Sequence, residues 1–256
     1  MPLRLCATMY TIMKTIVVLP AYNAEKTLKK TIEDIPKDIV SDIILVDDAS
    51  SDNTVKIAKD LGIEVICHET NLGYGGNQKT CYRRALEKGA DIVIMVHPDY
   101  QYNPKVIPHL IGLIENDICD VVLANRIRSR KEALNGGMPF YKYLSNRFLT
   151  FVENLVTGEN LGEWHSGMRA YSTKVLKTIS WEKNSDDFVF DSQFLIQCTN
   201  AGFKMGDIPI ETKYFTEASS INFIRSSTYG LTTLYVLFRY FLNKIKILKY
   251  PLLKTQ

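Results

Sequence analysis

The sequence predicts an α/β fold in which a mainly parallel sheet is covered by helices on both faces. Short runs rich in Val and Ile alternate with helical patterns along the first half of the chain. These runs are almost continuously apolar, as expected for parallel strands that are buried on both faces. The chain has 256 residues, of which 46% are hydrophobic and 23% are charged. It can therefore bury a substantial core in one domain with a small appendage.

Five strands and three helices are predicted in the first half of the chain. The strands span residues 15–19, 42–46, 64–67, 91–96 and 120–124, and the helices span residues 25–35, 54–61 and 77–88. In the first helix, Leu28, Ile32 and Ile35 share one face, and Asn23 is placed to cap the N-terminus. The third helix is predicted to stop at Gly89, a typical helix-ending glycine.

The C-terminal segment is predicted to form a basic amphipathic helix and tail over residues 226–256. Residues 218–256 contain six basic side chains and no acidic one, and apolar residues recur at helical spacing. Only 13 uncharged residues separate Arg225 from Arg239, fewer than the ~20 that a membrane-spanning helix needs. The helix fits an interfacial position on a membrane, and it equally fits packing on the domain or a contact between two copies of the chain.

The N-terminus and the cysteines indicate the compartment. Residues 1–12 lack the apolar core of a signal peptide, and we expect them to be a disordered or dispensable extension. The five cysteines are scattered and form no CxxC pair, so neither a disulfide framework nor a structural zinc site is indicated. A reducing, cytoplasmic location is expected.

Polar clusters follow the first two predicted strands, where ligands bind in parallel α/β sheets. Pro20-Ala21-Tyr22-Asn23 ends the first strand, and Tyr22 could lie flat against a base. The second strand ends in Asp47 and Asp48, whose carboxylates suit the hydroxyls of a ribose or the N–H of a base. For Asp52, a helix cap is the competing interpretation.

The segment His97-Pro98-Asp99-Tyr100-Gln101 follows the fourth predicted strand. His97, Asp99 and Gln101 stand at alternate positions and so project the same way from an extended chain, which suits a metal ion. The alternative is a strand end at which Asp99 merely caps a turn. The loop Asn71-Leu72-Gly73-Tyr74-Gly75-Gly76-Asn77, earlier in the chain, is rich in glycine but has the spacing of neither a dinucleotide site nor a P-loop.

Together the motifs PAYN, VDDASSDNT, NLGYGGN, HPDYQ, SGMR and GFKMGDIPIE resemble family 2 glycosyltransferases of the GT-A fold. The similarity is greatest to the dolichyl-phosphate or polyprenyl-phosphate mannose synthase-like branch, and it spans residues 15 to about 220. It implies a GT-A domain over residues 13–225 and an inverting hexosyltransferase. The donor would be a UDP- or GDP-linked sugar whose diphosphate is held by Mn²⁺ or Mg²⁺. The implied acceptor is a polyprenyl phosphate or a cell-surface glycan precursor.

The resemblance also implies roles for individual residues. The donor would be held by Pro20, Ala21, Tyr22, Asn23, Asp47, Asp48, Asp52, Asn71, Gly73 and His165. The metal-motif positions are His97, Asp99 and Gln101, and His97 replaces the more usual Asp. Either His97 ligates a softer ion, or Asp99 does most of the coordination together with diphosphate oxygens and water.

Catalysis is assigned to two residues by the same resemblance. Asp191, in the segment FVFD, is the expected general base, and Arg169, in SGMR, is expected to contact a phosphate, as is His165. Glu163 and Glu211 are reserves for the base. The expected location is the cytoplasm or the inner face of the cell membrane, with no nucleic-acid partner. A catalytically impaired sugar-nucleotide-binding or scaffold protein is the alternative, because His97 departs from the usual metal motif.

Overall fold

The computed structural model describes residues 13–211 and 223–255. The predicted extension at residues 1–12 lies outside these ranges. The strands are β1 (Thr15–Ala21), β2 (Asp42–Asp47), β3 (Glu64–Cys67), β4 (Ile92–Val96), β5 (Val121–Asn125), β6 (Met168–Ser172) and β7 (Met205–Pro209). The helices are α1 (Leu28–Glu33), α2 (Thr54–Asp60), α3 (Tyr74–Glu87), α4 (Ile107–Glu115), α5 (Arg130–Asn135), α6 (Phe140–Thr157), α7 (Thr173–Thr178), α8 (Phe190–Asn200) and α9 (Phe223–Lys244).

The strands of the described ranges form one sheet in the order β3-β2-β1-β4-β6-β5-β7. Strands β1 to β4 are parallel to one another, and β5 pairs in parallel with β7. Strand β6 runs antiparallel between β4 and β5. The α/β prediction with a mainly parallel sheet is therefore confirmed, and the five predicted strands match β1 to β5 closely.

Each face of the sheet packs against its own layer of helices. In β1, Ile16 and Val18 join a core formed with α3, α7, α8 and α9. Val17 and Leu19 point the other way and join a core formed with α1, α2 and α4. The alternation follows from the period of two along a strand, and it explains why the strands are apolar at nearly every position.

The predicted helix ends are correct for α3 and wrong for α1. Helix α3 ends at Glu87, two residues before Gly89, which has a φ of +71°. Helix α1 begins after Thr27, and Asn23 lies four residues upstream with a φ of +50°, so Asn23 does not cap it. The Asn23 Oδ1 instead accepts a hydrogen bond from the Ser51 backbone N–H, 2.9 Å away.

Helices α6 and α9 lie side by side and run in the same general direction. Gly230 lies against Leu149, and the Lys244 Nζ lies 3.4 Å from the Thr157 carbonyl oxygen. Helix α9 also packs on α8 through a buried face that includes Val236 and Tyr240. In the described ranges, no helix combines the length and the apolar character needed to cross a membrane.

Candidate functional site

The carboxyl ends of β1 and β2 form one wall of the candidate site. Pro20 and Ala21 pair in register with Val46 and Asp47 at this edge. The Asp47 carboxylate is 2% exposed, and its Oδ2 accepts a hydrogen bond from the Ser50 N–H at 2.9 Å. Its Oδ1 is buried and has no hydrogen-bond partner among the described residues. A buried carboxylate oxygen without a donor is costly, so this atom is suited to accept a hydrogen bond from a ligand.

Tyr22 follows β1 directly and leaves the sheet. Its side chain is 55% exposed, which gives an aromatic surface at the edge of the site. Such a ring can stack on a nucleobase, as predicted. The structure therefore brings Pro20, Ala21, Tyr22 and Asp47 together.

Asn23 and Asp52 join the two loops that follow β1 and β2. The Asp52 Oδ2 accepts from the Glu25 N–H at 3.0 Å, and its Oδ1 accepts from the Thr54 N–H at 2.9 Å. Burial raises the pKa of Asp52, but the hydrogen bonds from Thr54 and Glu25 outweigh burial and leave the pKa below its ordinary value. The capping interpretation of Asp52 fits these bonds at the start of α2, and its role in donor binding stays a prediction.

Asp48 holds the glycine-rich loop in place. Its Oδ1 accepts from the Leu72 N–H at 2.8 Å, and its Oδ2 accepts from the Gly73 N–H at 3.0 Å. His68 Nδ1 lies 2.7 Å from the same Oδ1. Asn71 donates from its side chain to the Asp48 carbonyl oxygen at 3.1 Å. These atoms are occupied within the chain, so a direct contact of Asp48 or Asn71 with the donor stays a prediction.

The glycines of this loop allow a close approach of backbone to backbone. Gly73 has a φ of +87°, and a Cβ there would lie 2.7 Å from the Asp186 carbonyl oxygen. The Gly75 N–H donates to the same oxygen at 2.7 Å. The loop is therefore fixed against residues 185–187, which lie just before α8.

His97, the first residue after β4, joins a chain of hydrogen bonds that includes Tyr74 and Asp191. Its Nε2 lies 2.9 Å from the Tyr74 hydroxyl, which donates to the Asp191 Oδ2 at 2.7 Å. Burial lowers the pKa of His97 to about 4, because the desolvation of the imidazolium outweighs its attraction to Asp191. His97 is therefore neutral at pH 7 and can act as a metal ligand.

The rest of the metal motif forms a tight turn, so the extended chain predicted for His97, Asp99 and Gln101 is wrong, and Asp99 caps the turn as in the alternative interpretation. The Asp99 Oδ1 accepts from the Gln101 N–H at 3.0 Å, and Tyr100 between them has a φ of +57°. The Gln101 side chain is 6% exposed. Within residues 13–211 and 223–255, no three His, Cys, Asp or Glu side chains converge on one point. The donor set here is one carboxylate and one imidazole, which suits a cation whose other ligands are diphosphate oxygens and water.

Asp191, the predicted base, lies at the start of α8 and is 7% exposed. Its Oδ1 accepts from the Gln78 amide at 3.1 Å and lies 2.8 Å from the Arg169 guanidinium. Arg169, on β6, is fully buried. Burial acts to lower the pKa of Arg169, but the charge of Asp191 prevails and raises it. A direct contact of Arg169 with a phosphate stays a prediction, whereas its contact with Asp191 is in place.

His165 lies between α6 and α9 rather than at the nucleoside wall. Its Nδ1 is 2.7 Å from the Tyr229 hydroxyl, and its Nε2 is 3.1 Å from the Glu153 Oε2. Burial raises the pKa of Glu153, while His165 opposes the shift. The Tyr229 hydroxyl in turn lies 3.2 Å from the Ser192 Oγ, and Ser192 directly follows Asp191 in the chain.

Of the reserve bases, Glu163 is fully buried and contacts Arg126, whose backbone N–H donates to the Glu163 Oε2 at 2.7 Å. Burial raises the pKa of Glu163, but Arg126 outweighs burial and the pKa lies below its ordinary value. Glu211 is exposed at the end of the first described range. Neither residue lies in the contact network of Asp191, and Glu163 serves to hold the loop before β6.

Sequence reasoning missed Tyr74, Gln78 and Glu153. Gln78 and Glu153 lie inside helices and carry no local signal of a site. Tyr74 lies in the glycine-rich motif, directly before two glycines, and that position was the available signal.

Comparisons with known proteins identify the family of this chain. The model of the family "Glycosyl transferase family 2" matches residues 16–180. The UDP-N-acetylglucosamine–dolichyl-phosphate N-acetylglucosaminyltransferase of Methanococcus voltae is 34% identical over 77% of this chain and 84% of that protein. The undecaprenyl-phosphate mannosyltransferase of Micrococcus luteus is 26% identical over 77% of this chain and 83% of that protein. These matches confirm the resemblance that the motifs indicate.

A solved structure supports the fold. Glucosyl-3-phosphoglycerate synthase from Mycobacterium tuberculosis, in complex with Mn²⁺, UDP and phosphoglyceric acid, superposes with a TM-score of 0.68 at 18% sequence identity. The match covers 93% of this chain and 80% of that one. At this identity it establishes the GT-A fold and no more.

Proposed function

The chain belongs to the family 2 glycosyltransferases, and we propose that it transfers a sugar, with inversion, from a nucleotide diphosphate to a polyprenyl phosphate. One observation carries the proposal. Three groups lie at the carboxyl edge of the same sheet: the Asp47 Oδ1, which has no hydrogen-bond partner among the described residues, the neutral imidazole of His97 and the carboxylate of Asp191. The family to which the chain belongs transfers sugars.

The donor proposed here is a UDP-sugar. The relative from Methanococcus voltae is named for UDP-N-acetylglucosamine, and the structure from Mycobacterium tuberculosis contains UDP. Tyr22 would stack on the uracil, and the Asp47 Oδ1 would accept a hydrogen bond from the nucleoside. A GDP-linked donor is the competing possibility, and a direct comparison of UDP with GDP separates the two.

The leaving diphosphate would be held by His97 and Asp99 through Mn²⁺ or Mg²⁺. A divalent cation supplies positive charge that stabilises the diphosphate as the anomeric bond breaks. Two protein donors are proposed among residues 13–211 and 223–255, so the cation would depend on the oxygens of the nucleotide for its other ligands. The protein is therefore expected to bind metal and nucleotide together far better than either alone.

The surroundings of Asp191 favour a phosphate acceptor over a hydroxyl. Both Asp191 oxygens are already engaged, one by Gln78 and Arg169 and the other by Tyr74. With these partners in place, neither Asp191 oxygen is an unengaged acceptor for the proton of a sugar hydroxyl. A lipid phosphate is already largely anionic at pH 7 and can attack without a base, whereas a sugar hydroxyl needs its proton removed. Arg169 then acts by holding Asp191.

A membrane surface is the proposed location, since helices α6 and α9 together expose two apolar rows. The exposed rows are Phe140, Leu144, Phe148, Phe151 and Leu155 on α6, and Leu231, Tyr235, Phe238 and Phe241 on α9, followed by Ile245 just after it. Each row lies opposite the buried face of its own helix, so the pair presents them away from the core. A patch of this kind marks an interaction surface.

The charges around this face favour an anionic bilayer over a second copy of the chain. The only acidic residue of α6 is Glu153, which is fully buried. Residues 218–256 carry six basic residues and no acidic one, with Lys244, Lys246 and Lys249 exposed at one end. Two copies meeting through this face would bring like charges together, whereas anionic lipids would attract them. We place the protein at the inner face of the cell membrane.

The donor site is tested by Asp99→Ala, with titration of UDP in the presence and absence of Mn²⁺. The variant should lose the metal-dependent part of UDP binding, and undiminished Mn²⁺-dependent binding would contradict the assignment. Asp91→Ala is the matched control, because Asp91 lies at the opposite end of β4 and accepts a hydrogen bond from the Lys14 N–H. The Asp91→Ala variant should bind Mn²⁺ and UDP with the affinity of the wild type.

Transfer is tested with labelled UDP-N-acetylglucosamine and UDP-glucose, each offered undecaprenyl phosphate or undecaprenol. Product formed only with the phosphate supports the proposal. Binding of a UDP-sugar without turnover on either acceptor would favour the scaffold alternative.

Membrane binding is tested by cosedimentation with vesicles containing phosphatidylglycerol. Phe148→Glu and Phe238→Glu should each lower vesicle binding, whereas Ile118→Glu should not. Ile118 is a matched control because it is 58% exposed, like Phe148 at 56%, but follows α4 on the other layer of helices. Vesicle binding by Phe148→Glu and Phe238→Glu that equals the binding by Ile118→Glu would contradict this location. A dimer that only Phe148→Glu and Phe238→Glu disrupt would contradict it as well.

A further inference from the structure

The Tyr74 hydroxyl forms contacts of hydrogen-bond length with both His97 and Asp191. It lies 2.9 Å from the His97 Nε2 and 2.7 Å from the Asp191 Oδ2. The Tyr74 ring packs 5.3 Å from the His97 ring and 4.8 Å from the ring of Phe188, measured between centroids. The first residue of α3 is thus fixed between the metal motif and the start of α8.

The hydrogens in this chain can be assigned by counting donors. A tyrosine hydroxyl has one proton, and here that proton is donated to the Asp191 carboxylate. The contact with His97 is then a hydrogen bond only if the His97 Nε2 carries a proton and donates it to the Tyr74 oxygen. A neutral imidazole has a single N–H, so its Nδ1 must hold a lone pair.

The orientation of the His97 ring leaves that Nδ1 available. Gly167 packs against the Cδ2 atom, beside Nε2, so closely that a Cβ at Gly167 would overlap the ring. The Nε2 edge is therefore enclosed by Tyr74 and Gly167. The opposite edge carries Nδ1, which forms no hydrogen bond to the described residues.

We propose that Tyr74 is a positioning residue that holds His97 in the Nε2-protonated tautomer, with the lone pair of Nδ1 directed to the divalent cation of the donor complex. This inference rests on the proposed function, because it assumes that a cation binds at the HPDYQ segment. It accounts for a histidine at a position where the family more often has Asp. An imidazole ligates only through an unprotonated nitrogen, so a partner must fix the tautomer, whereas a carboxylate needs no such partner.

The first test measures Mn²⁺ binding in the presence of saturating UDP by calorimetry. Tyr74→Phe should raise the Kd for Mn²⁺ about 10-fold, since loss of the outer partner of a ligating histidine typically costs 10- to 100-fold in metal affinity. Tyr82→Phe is the matched control. Tyr82 is a buried tyrosine on the same helix whose hydroxyl donates to Gln78 at 2.7 Å and does not touch His97. Its Kd should stay within about 2-fold of the wild type.

A double mutant separates the tautomer from general damage. In the background of His97→Asp, Tyr74→Phe should change the Kd for Mn²⁺ by less than about 2-fold, because a carboxylate has no tautomer to fix. An equal loss in both backgrounds would show that Tyr74 acts through Asp191 or through packing, and would overturn the inference.

The tautomer itself is measured by ¹⁵N NMR of the wild-type protein without metal. A protonated Nε2 and an unprotonated Nδ1 are expected for His97, and the opposite tautomer overturns the inference even if Tyr74→Phe does not fold. If the wild type and Tyr82→Phe fail to bind Mn²⁺ with UDP, the proposed metal site fails, and that result is distinct from a loss confined to Tyr74→Phe.

Discussion

Replacing Gly167 by alanine should displace His97 and weaken metal-dependent donor binding without unfolding the protein. A Cβ at Gly167 would lie less than 3.0 Å from the His97 Cδ2 and 3.0 Å from the Tyr102 hydroxyl, whereas ordinary contacts begin at 3.4 Å. The His97 ring must therefore move by about half an ångström or more. It cannot keep its hydrogen bond to Tyr74 when it does so, because Tyr74 is held by Asp191 and Phe188.

The size of the effect follows from these contacts. Loss of one intramolecular hydrogen bond costs about 1 kcal/mol, and a misplaced ligand adds to that, so the Kd for Mn²⁺ with UDP should rise about 10-fold. Turnover should fall further, up to about 100-fold, because displacements of this order disturb the alignment of the reacting groups. Overpacking should lower the free energy of unfolding by about 1–3 kcal/mol.

Calorimetry, steady-state kinetics and thermal melts measure the three quantities. The control is Gly112→Ala, since Gly112 lies in α4 with nothing within 4 Å of an added Cβ. That variant should keep wild-type affinity and turnover and gain up to about 1 kcal/mol from the higher helix propensity of alanine. Wild-type affinity and turnover in Gly167→Ala would refute the position given to His97.

Three further predictions concern ionisable groups in the site and in the loop before β6. Asp191→Asn should lower kcat less than ~10-fold on a polyprenyl phosphate but ~100-fold or more on a hydroxyl acceptor. If the variant instead loses its affinity for the donor, Asp191 is a donor-site or structural residue. His97→Asp should stay active and shift the preference from Mn²⁺ toward Mg²⁺, as kinetics with each metal would reveal; an unchanged preference would remove His97 from the metal site. Glu163→Gln should lower stability at pH 7 by about 3 kcal/mol, because it leaves Arg126 without its buried partner. The pKa of Glu163 is lowered in the folded state, so the stability from this pair is present above its ordinary pKa of 4.5 and is lost as the pH falls through the folded value. Unfolding by denaturant should show that the free energies of unfolding of the wild type and Glu163→Gln differ less at pH 4 than at pH 7. An equal difference at both pH values would contradict this account.

The first five strands could be predicted from sequence because their signal is local. Each is a short run of buried Val, Ile and Leu that ends in a polar cluster. Strand β6 could not be recognised in this way, because Arg169 stands second in its five residues. That arginine is buried only because Asp191, contributed by α8, lies 2.8 Å away.

The site was predictable in position but not in its partners. The sequence placed His97 directly after β4, but the alternation expected for His97, Asp99 and Gln101 is wrong, because the chain turns at Tyr100. The contact between Tyr74 and Asp191 joins residues 117 positions apart, so only the folded chain creates it. For Asp48 the sequence could not reveal that the backbone N–H groups of Leu72 and Gly73 take up the oxygens that a nucleotide would otherwise use.

The reversed direction of β6 brings both ends of one long segment to the candidate site. Because β6 is antiparallel to β4, the residues before it, and not those after it, meet His97 at the carboxyl edge. The segment between β5 and β6, residues 126–167, therefore leaves and re-enters the sheet at the site and carries α6 with it. A segment taken from a relative would have to keep a glycine at position 167, because Gly167 packs against His97 and donates a hydrogen bond to Tyr102. A chimaera of this kind would be the natural starting point for engineering a new acceptor onto an unchanged nucleotide half.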